Sequence, residues 1–228
     1  MFDIQPLILT FKLASVTTFI LTCLGIPLAH WLAFSPRRYN IFIEPLVSMP
    51  LVLPPTVLGF YMLLLLSPHS MIGSFLDNVF HVRFVFTFWG LVIGSVVFSL
   101  PFMVNPLRAG FESFPQVLLE ASYALGKSRR ETLWKVVLPN IKPALLTGIV
   151  MTFAHTIGEF GVVLMMGGNT PGETRVASIA IFSDVEALNY SSAHFYSAIL
   201  FGICFAILFV LNLINKKGLG LFHDTNQT

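Results

Sequence analysis

The chain has 228 residues, of which 55% are apolar and only 11% are charged, with a mean hydropathy of +0.81 and a formal net charge of +2. Soluble domains carry about 25% charged residues, and a soluble fold of this size could not hide so much apolar surface. The composition therefore excludes an ordinary soluble protein and predicts an all-α integral membrane protein. Cys23 and Cys204 lie in apolar runs, and the six histidines lack ligand spacing, so we predict neither a metal site nor a catalytic site.

Five apolar stretches are long enough to cross a hydrocarbon core of about 30 Å, because a helix rises about 1.5 Å per residue. They run approximately over residues 7–34, 45–66, 84–108, 143–166 and 194–214. Prolines interrupt several of them, which membrane helices tolerate when neighbouring groups satisfy the freed carbonyls. A sixth apolar run, residues 176–182, is too short to span, and it predicts a re-entrant or surface helix inside a polar, water-facing outer loop over residues 167–193.

The basic residues predict the orientation of these spans, because Lys and Arg accumulate in cytoplasmic loops. The side that holds the first loop, the third loop and the C-terminus carries ten: Arg37, Arg38, Arg108, Lys127, Arg129, Arg130, Lys135, Lys142, Lys216 and Lys217. The other side carries three: Lys12, Arg83 and Arg175. We therefore expect the N-terminus outside, the C-terminus in the cytoplasm and one long cytoplasmic loop over residues 109–142.

This cytoplasmic loop has the pattern of a helical hairpin. Ser113 and Gln116 have the spacing of a capping box, which predicts a helix that runs to Gly126, the usual residue at a left-handed helix end. Ser128 and Glu131 form a second capping box, and we expect the second helix to end before Pro139. An apolar ridge among basic residues suits either the lipid headgroups or the groove of a cytoplasmic partner.

The same loop resembles the signature of permease subunits of binding-protein-dependent ABC importers. Glu120-Ala121-Ser122, then Gly126, then Val136-Val-Leu138-Pro139 matches the family pattern E-A-A…G…I-x-L-P at every spacing, with Ser and Val as small replacements. The resemblance implies that residues Glu120, Ala121, Ser122, Gly126, Val136, Leu138 and Pro139 form the coupling loop that a separate ATPase subunit receives in a cleft.

The resemblance also implies how the work is divided among subunits. ATP and Mg are bound by the partner ATPase, so that this chain has no cofactor and no enzyme activity of its own. Residues 121–128 fit a relaxed phosphate-loop pattern, but a helix precedes them where a buried strand is required, and the first glycine is alanine. The implied partners are the ATPase, a periplasmic or extracellular oxyanion-binding protein and a second copy of this chain in the lipid bilayer, without nucleic acid.

Further segments resemble the molybdate and sulfate branch of these permeases. They are residues 50–59 (PLVLPPTVLG), 158–161 (GEFG) and 168–175 (GNTPGETR), and the last is closer to the molybdate type. The resemblance covers essentially the whole chain, although some relatives have an additional N-terminal helix. It implies an inner-membrane (plasma-membrane) permease for molybdate or a similar tetrahedral oxyanion such as tungstate, with sulfate or thiosulfate as the alternative.

Ionisable residues within a span are candidates for function. His155 and Glu159 are four residues apart, within hydrogen-bonding reach if the fourth span is helical there. They predict either a structural pair, with Glu159 alternatively capping amides near Gly161, or a gate. Around the helix-breaking positions, the candidate gate or pathway residues are Pro54, Pro55, His155, Gly158, Glu159 and Gly161. Gly90 and Gly94 predict close helix packing or a subunit interface.

Two other classes of protein fit the residues less well. A self-contained secondary transporter predicts inverted repeats and several charged residues at the bilayer centre. The sequence has no visible repeat and one clear acidic intramembrane position. A membrane-bound enzyme requires a converging set of His, Asp, Glu or Cys residues, which the sequence does not indicate.

Overall fold

In the computed structural model of the chain, residues 3–35 and 37–220 are described, without the side chains of residues 37–39 and 214–220. The side chains of Arg37, Arg38, Lys216 and Lys217 therefore lie outside the described residues. In the described part of the chain every regular element is helical, which confirms the all-α prediction. The helices are α1 (Gln5–Phe34), α2 (Arg37–Ser48), α3 (Pro55–Leu66), α4 (Met71–Phe80), α5 (Phe88–Glu112), α6 (Gln116–Ala124), α7 (Arg129–Thr132), α8 (Leu138–Asn140), α9 (Lys142–Gly158), α10 (Gly161–Gly167), α11 (Ala177–Glu186) and α12 (Tyr190–Gly220).

Three of these helices, α1, α5 and α12, are each long and apolar enough to cross a membrane. The number rises to five if each of two bent helix pairs counts as one span. The first pair joins α2 to α3, and the second joins the helical segment Arg129–Asn140 to α9. Five crossings are thus compatible with the structure, but only three of them are single unbroken helices.

The second predicted span is not one straight helix. The chain turns by 110° between Asn40–Leu51 and Pro55–Leu66. Pro54 lies at this turn with an extended backbone (ψ 133°), and Pro55 opens α3. Because Pro disfavours helical geometry in the residue before it, the Pro54-Pro55 pair separates the two helices. The predicted second span over residues 45–66 therefore contains a sharp bend at the two prolines that interrupt it in the sequence.

The fourth predicted span is also interrupted. Helix α9 ends at Gly158, Glu159 has an extended backbone (ψ 133°), and α10 begins at Gly161. Phe160 between them has a non-helical conformation with φ −128°. His155 thus lies in the last turn of α9, and Glu159 is the residue at which the helix ends.

Helices α1 and α5 run parallel and form the centre of the bundle. Their C-terminal halves share one buried cluster with the segment that leads into α9, and their N-terminal halves share a second cluster with α10 and α11. Met103 of α5 is fully buried where three helices meet, since a Cβ on Gly25 of α1 would lie 2.6 Å from its Cγ and one on Gly148 of α9 would lie 3.1 Å from its Sδ. Small residues thereby allow the close helix contacts typical of membrane bundles.

The segment over residues 167–193 is more ordered and more buried than a water-facing loop. It contains α11, a ten-residue helix that confirms the short helix expected near residues 176–182. Val176, Ala177, Ile179 and Ala180 are buried against α1, α10 and α12. Gly94 packs within the chain, because a Cβ there would lie 2.8 Å from Val162 of α10.

Candidate functional site

The coupling segment predicted from the sequence folds as a hairpin of helices between α5 and α9. Helix α6 ends in a glycine turn: Gly126 has φ +77°, its N–H bonds to the carbonyl of Tyr123 and the N–H of Lys127 bonds to that of Ser122. These two bonds define a Schellman helix end. Ser128 then caps the next helix by accepting the N–H of Glu131 at 3.2 Å. The predicted glycine turn and the second helix start are confirmed.

Two boundaries of the hairpin differ from the prediction. Ser113 does not cap α6, because α5 continues to Glu112 and the Ser113 hydroxyl donates backwards to the carbonyl of Gly110 at 3.0 Å. The second helix also does not end before Pro139. It widens into a π-helical turn over Leu133–Val137 and continues to Asn140.

The π-helical turn explains why a proline is tolerated there. The N–H of Leu138 bonds to the carbonyl of Leu133, five residues back. Pro139 has no N–H to contribute, and the side chain of Asn140 donates to the Val136 carbonyl at 2.7 Å. The helix thus continues through Pro139, because the wider turn and the Asn140 side chain accommodate the missing N–H.

A buried pair of hydroxyl groups joins the two arms of the hairpin. Ser122 of α6 and Thr132 of α7 are 3% and 1% exposed, and their hydroxyl oxygens are 2.8 Å apart. Sequence analysis had identified Ser122 only as a small replacement for alanine and had missed Thr132. The signal was present in the hairpin itself, because the glycine turn brings a residue early in the second arm against the end of the first.

The outer surface of the hairpin carries unusually large apolar side chains. Val117, Leu118, Tyr123, Leu125 and Trp134 are all exposed, and so are Glu120, Ala121 and Pro139. Lys135 donates to Glu131 at 2.6 Å, which lowers the pKa of that carboxyl group below its ordinary value. Exposed aromatic and aliphatic residues beside charges are typical of a surface that docks to another protein.

The inner side of the hairpin is fixed to the helix bundle. Val137 and Leu138 are buried in the same cluster as Leu32 of α1 and Phe111 of α5. Val136 packs against this cluster from a half-buried position. A cavity of about 350 Å³ remains between α6 and the ends of α1 and α5, lined by Ala33, Phe34, Phe111, Glu112, Phe114, Gln116, Leu119, Glu120 and Tyr123. Any displacement of the hairpin would therefore act directly on α5 and α9.

The structure brings the two helix breaks together. A Cβ added to Gly161 would lie 2.7 Å from the Cβ of Pro55 and 3.1 Å from the backbone nitrogen of Thr56. Gly59 of α3 makes a similarly close approach to α10, since a Cβ added there would lie 3.0 Å from the Cα of Val162. The start of α3 and the start of α10 are thus in backbone contact, which the sequence did not reveal.

Glu159 lies at the second break and connects it to neighbouring helices. Its side chain is 3% exposed, and Oε2 accepts a hydrogen bond from the Ser95 hydroxyl of α5 at 2.7 Å. Its backbone carbonyl accepts a hydrogen bond from the Ser178 hydroxyl of α11 at 2.6 Å. Oε1 has no hydrogen-bond partner among the described residues. The sequence did not indicate Ser95 and Ser178, because they lie on α5 and α11, far from Glu159 along the chain.

His155 and Glu159 contact different residues. Its ring stacks on Phe102 with centroids 3.9 Å apart and lies 4.9 Å from the ring of Phe98. The predicted structural pair between His155 and Glu159 is wrong, because His155 Nε2 and Glu159 Oε1 have no hydrogen-bond partner among the described residues and Glu159 Oε2 accepts from Ser95. A Glu159 cap on amides near Gly161 is likewise not formed. Gly158 has open space around it.

The chain was compared with known proteins. Residues 23–217 match the family described as "Binding-protein-dependent transport system inner membrane component". The chain is 44% identical to the molybdenum transport system permease protein ModB of Azotobacter vinelandii, over 96% of this chain and 97% of that protein. It is 32% identical to the putative molybdenum transport system permease protein YvgM of Bacillus subtilis (strain 168), over 90% and 91%. It is 26% identical to the sulfate transport system permease protein CysT of Salmonella typhimurium, over 91% and 76%.

Solved structures share the fold. A chain of the MetNI methionine ABC transporter in an inward-facing conformation superposes with a TM-score of 0.70 at 17% identity, covering 94% of each chain. A chain of a bacterial ABC transporter that imports alginate superposes with a TM-score of 0.76 at 17% identity, covering 94% of this chain and 79% of that one. At these identities, the likeness concerns the fold alone.

Proposed function

Because the chain belongs to the family of binding-protein-dependent transport system inner membrane components, we propose that it is the permease subunit of an ATP-driven importer for molybdate. The observation that supports molybdate as the substrate is the 44% identity to a molybdenum permease over nearly the full length of both chains. Tungstate, as a similar tetrahedral oxyanion, would follow the same path. Sulfate is the second candidate, supported by weaker similarity to sulfate permeases.

The hairpin supports the assignment of an ATPase partner. Its inner side is fixed to α1, α5 and the start of α9, whereas its outer side exposes Val117, Leu125 and Trp134. A separate ATPase subunit that binds this outer side would move the hairpin as it closes on ATP. The hydrolysis would then belong to the ATPase, and this chain would supply the pathway together with a second copy of itself.

The helix breaks support an assignment of the moving part of the pathway. The start of α3 at Pro55 contacts the start of α10 at Gly161, and neither start is constrained by a continuous helix before it. In our proposal the two helix breaks allow the pathway to open and close. Glu159 is the gate residue, because its hydrogen bond with Ser95 joins the start of α10 to α5. Glu159 would not bind the oxyanion, because a carboxylate repels an anion.

The proposed orientation places the hairpin in the cytoplasm and the N-terminus outside. It rests on the ten basic residues on the hairpin side against three on the other. A periplasmic or extracellular binding protein would deliver the oxyanion to the opposite end, near α4 and α11. An oxyanion pathway requires donors and water, not a tight permanent site.

Transport in vesicles tests the proposal. The chain is reconstituted with its ATPase and its oxyanion-binding protein, and uptake of labelled molybdate and labelled sulfate is measured with and without ATP. We expect ATP-dependent molybdate uptake that excess tungstate inhibits and excess sulfate does not. Uptake of sulfate in preference to molybdate would transfer the assignment to the sulfate branch, and uptake without the ATPase would refute the ABC class.

A matched pair of variants tests the ATPase contact. Glu120→Lys reverses a charge on the exposed side of α6, and Glu186→Lys makes the same change at the exposed end of α11. We expect Glu120→Lys to reduce co-purification of the ATPase at least tenfold and Glu186→Lys to leave it unchanged. Equal recovery of the ATPase with both variants would contradict the hairpin as its binding site.

A further inference from the structure

Helix α2 has one side that faces the helix bundle and an opposite side that is exposed. On the side toward the bundle, Asn40 and Val47 are buried. On the side that faces away, Ile41, Phe42 and Leu46 are 67%, 79% and 65% exposed. Positions 42 and 46 are one helical turn apart, so they present one continuous apolar face. No described part of the chain covers this face.

The inner side of α2 is fixed by polar contacts at the end of the bundle that carries the hairpin. Asn40 donates from its side-chain nitrogen to the carbonyl of Leu32, near the end of α1, at 2.8 Å. Arg108 of α5 forms an ion pair with Glu44 at 2.8 Å and a second one with Glu112 at 2.7 Å. These contacts determine which side of α2 turns outward.

Within the bent pair formed by α2 and α3, α2 does not run along the direction of the crossing. The axis of the segment Asn40–Leu51, which contains most of α2, and the axis of α3 differ by 110°, which is 20° beyond a right angle. Transmembrane helices tilt on average about 20° from the bilayer normal. With such a tilt in α3, α2 remains within about 40° of the membrane plane. A helix in that direction at the end of a bundle lies along the membrane surface.

We propose that the face formed by Ile41, Phe42 and Leu46 inserts into the headgroup and upper acyl region of a phospholipid leaflet, so that α2 is a membrane-surface helix. A helix in the interface plane buries its apolar face about 5–10 Å into this region. Three observations favour lipid over other occupants: the direction of the helix, its apolar outer face and the polar fixation of its inner side. In the sequence, Arg37 and Arg38 open the helix, and basic residues favour a leaflet that contains acidic lipids.

This inference requires only that the chain spans a membrane, and it holds for any transported substrate. Its consequence is mechanical, because Arg108 joins α2 to α5 four residues before the end of that helix. In the chain, the hairpin begins directly after the end of α5. The lipid surface would thus hold the base of α5 while a partner moves the hairpin.

Nitroxide labelling tests the position of α2. Single cysteines replace Phe42 or Leu46 in a chain whose native cysteines are removed by Cys23→Ser and Cys204→Ser. Both test positions are exposed, so that the label requires no repacking of the core. The labelled chain is reconstituted with its ATPase in vesicles of phosphatidylethanolamine and phosphatidylglycerol. Collision of each label with oxygen, which concentrates in lipid, and with a water-soluble nickel chelate is measured.

Two further labels calibrate the measurement. Phe209→Cys lies on the exposed apolar surface of α12, and Glu173→Cys lies in the exposed turn before α11. We expect the oxygen-to-nickel collision ratio at positions 42 and 46 to exceed that at 173 at least threefold and to fall below that at 209. A ratio equal to that at 173 would place α2 in water. Low collision with both reagents would show a protein cover, such as a second copy, and either result would overturn the proposal.

Discussion

Gly126 offers a perturbation whose magnitude follows from the backbone alone. It has φ +77°, in the left-handed region, and a Cβ added there would meet no atom within 4 Å. Gly126→Ala therefore introduces backbone strain without a steric clash. A non-glycine residue in this region costs roughly 1–2 kcal/mol. Because the hairpin turn opens locally, the same free energy shifts its open fraction by a factor of about 5–30.

Hydrogen exchange of the chain in lipid nanodiscs measures this shift. The N–H groups of Leu125, Gly126 and Lys127 are bonded across the turn and report its opening. We expect Gly126→Ala to accelerate their exchange about 5–30-fold and Gly126→Asn to have a smaller effect, since Asn tolerates this conformation better. Gly202→Ala in α12, which also has open space around it, serves as the matched control without effect on the turn. Unchanged exchange in Gly126→Ala would refute the strained-turn argument.

Three contacts elsewhere in the chain give expected outcomes of their own. Ser122→Ala and Thr132→Val each leave one buried hydroxyl without its partner, so each should lower the free energy of unfolding by roughly 1–3 kcal/mol. The double variant should lose less than the sum of the two single losses. Additive shifts of the melting temperature of the purified complex would contradict an interacting pair. Glu159→Gln keeps an oxygen that can accept from Ser95, so the amount of subunit in the membrane should stay constant, but it removes the ionisable group of the proposed gate, so transport should fall; loss of the subunit would argue against the gate. Gly161→Ala puts a carbon 2.7 Å from a proline of α3 and should destabilise by roughly 1–3 kcal/mol, whereas Gly158→Ala, with open space, should not, as thermal unfolding would show.

Hydropathy predicted the long helices well because lipid imposes a single requirement on them. A crossing helix satisfies its own backbone hydrogen bonds, so its apolar length is visible in the sequence without knowledge of its neighbours. The predicted starts and ends of α1 differ from the observed ones by two residues at most. The glycine turn was equally predictable, because Gly126 must adopt a conformation that few other residues accept.

The breaks were not predictable to the same degree because prolines act differently in different surroundings. Pro54-Pro55 turns the chain by 110°, whereas Pro139 is passed by a π-helical turn, and Pro101 and Pro106 lie inside α5. The difference arises from which nearby groups replace the missing N–H as donors to the freed carbonyl. Those groups are tertiary or several residues away, as with the amide of Asn140.

The predictions for Ser113 and Glu159 were wrong for a related reason. A polar side chain has several possible hydrogen-bond partners, and packing determines which of them it contacts. The Ser113 hydroxyl bonds backwards to Gly110 because α5 extends to Glu112. The Glu159 carboxyl group accepts from Ser95, which is 64 positions away in sequence and is brought close by the packing of α5. A spacing rule such as the capping box identifies compatible partners, but it does not determine which partner is present.

The two buried clusters limit how a signal from the hairpin can reach the opposite end of the chain. Helix α5 contributes Met103 and Phe111 to the cluster at the hairpin end and Leu91 and Phe98 to the cluster at the other end, without an interruption between them. In our proposal, a displacement of the hairpin would be carried along α5 to its contact with α10, where the hydrogen bond from Ser95 to Glu159 joins α5 to the break before α10.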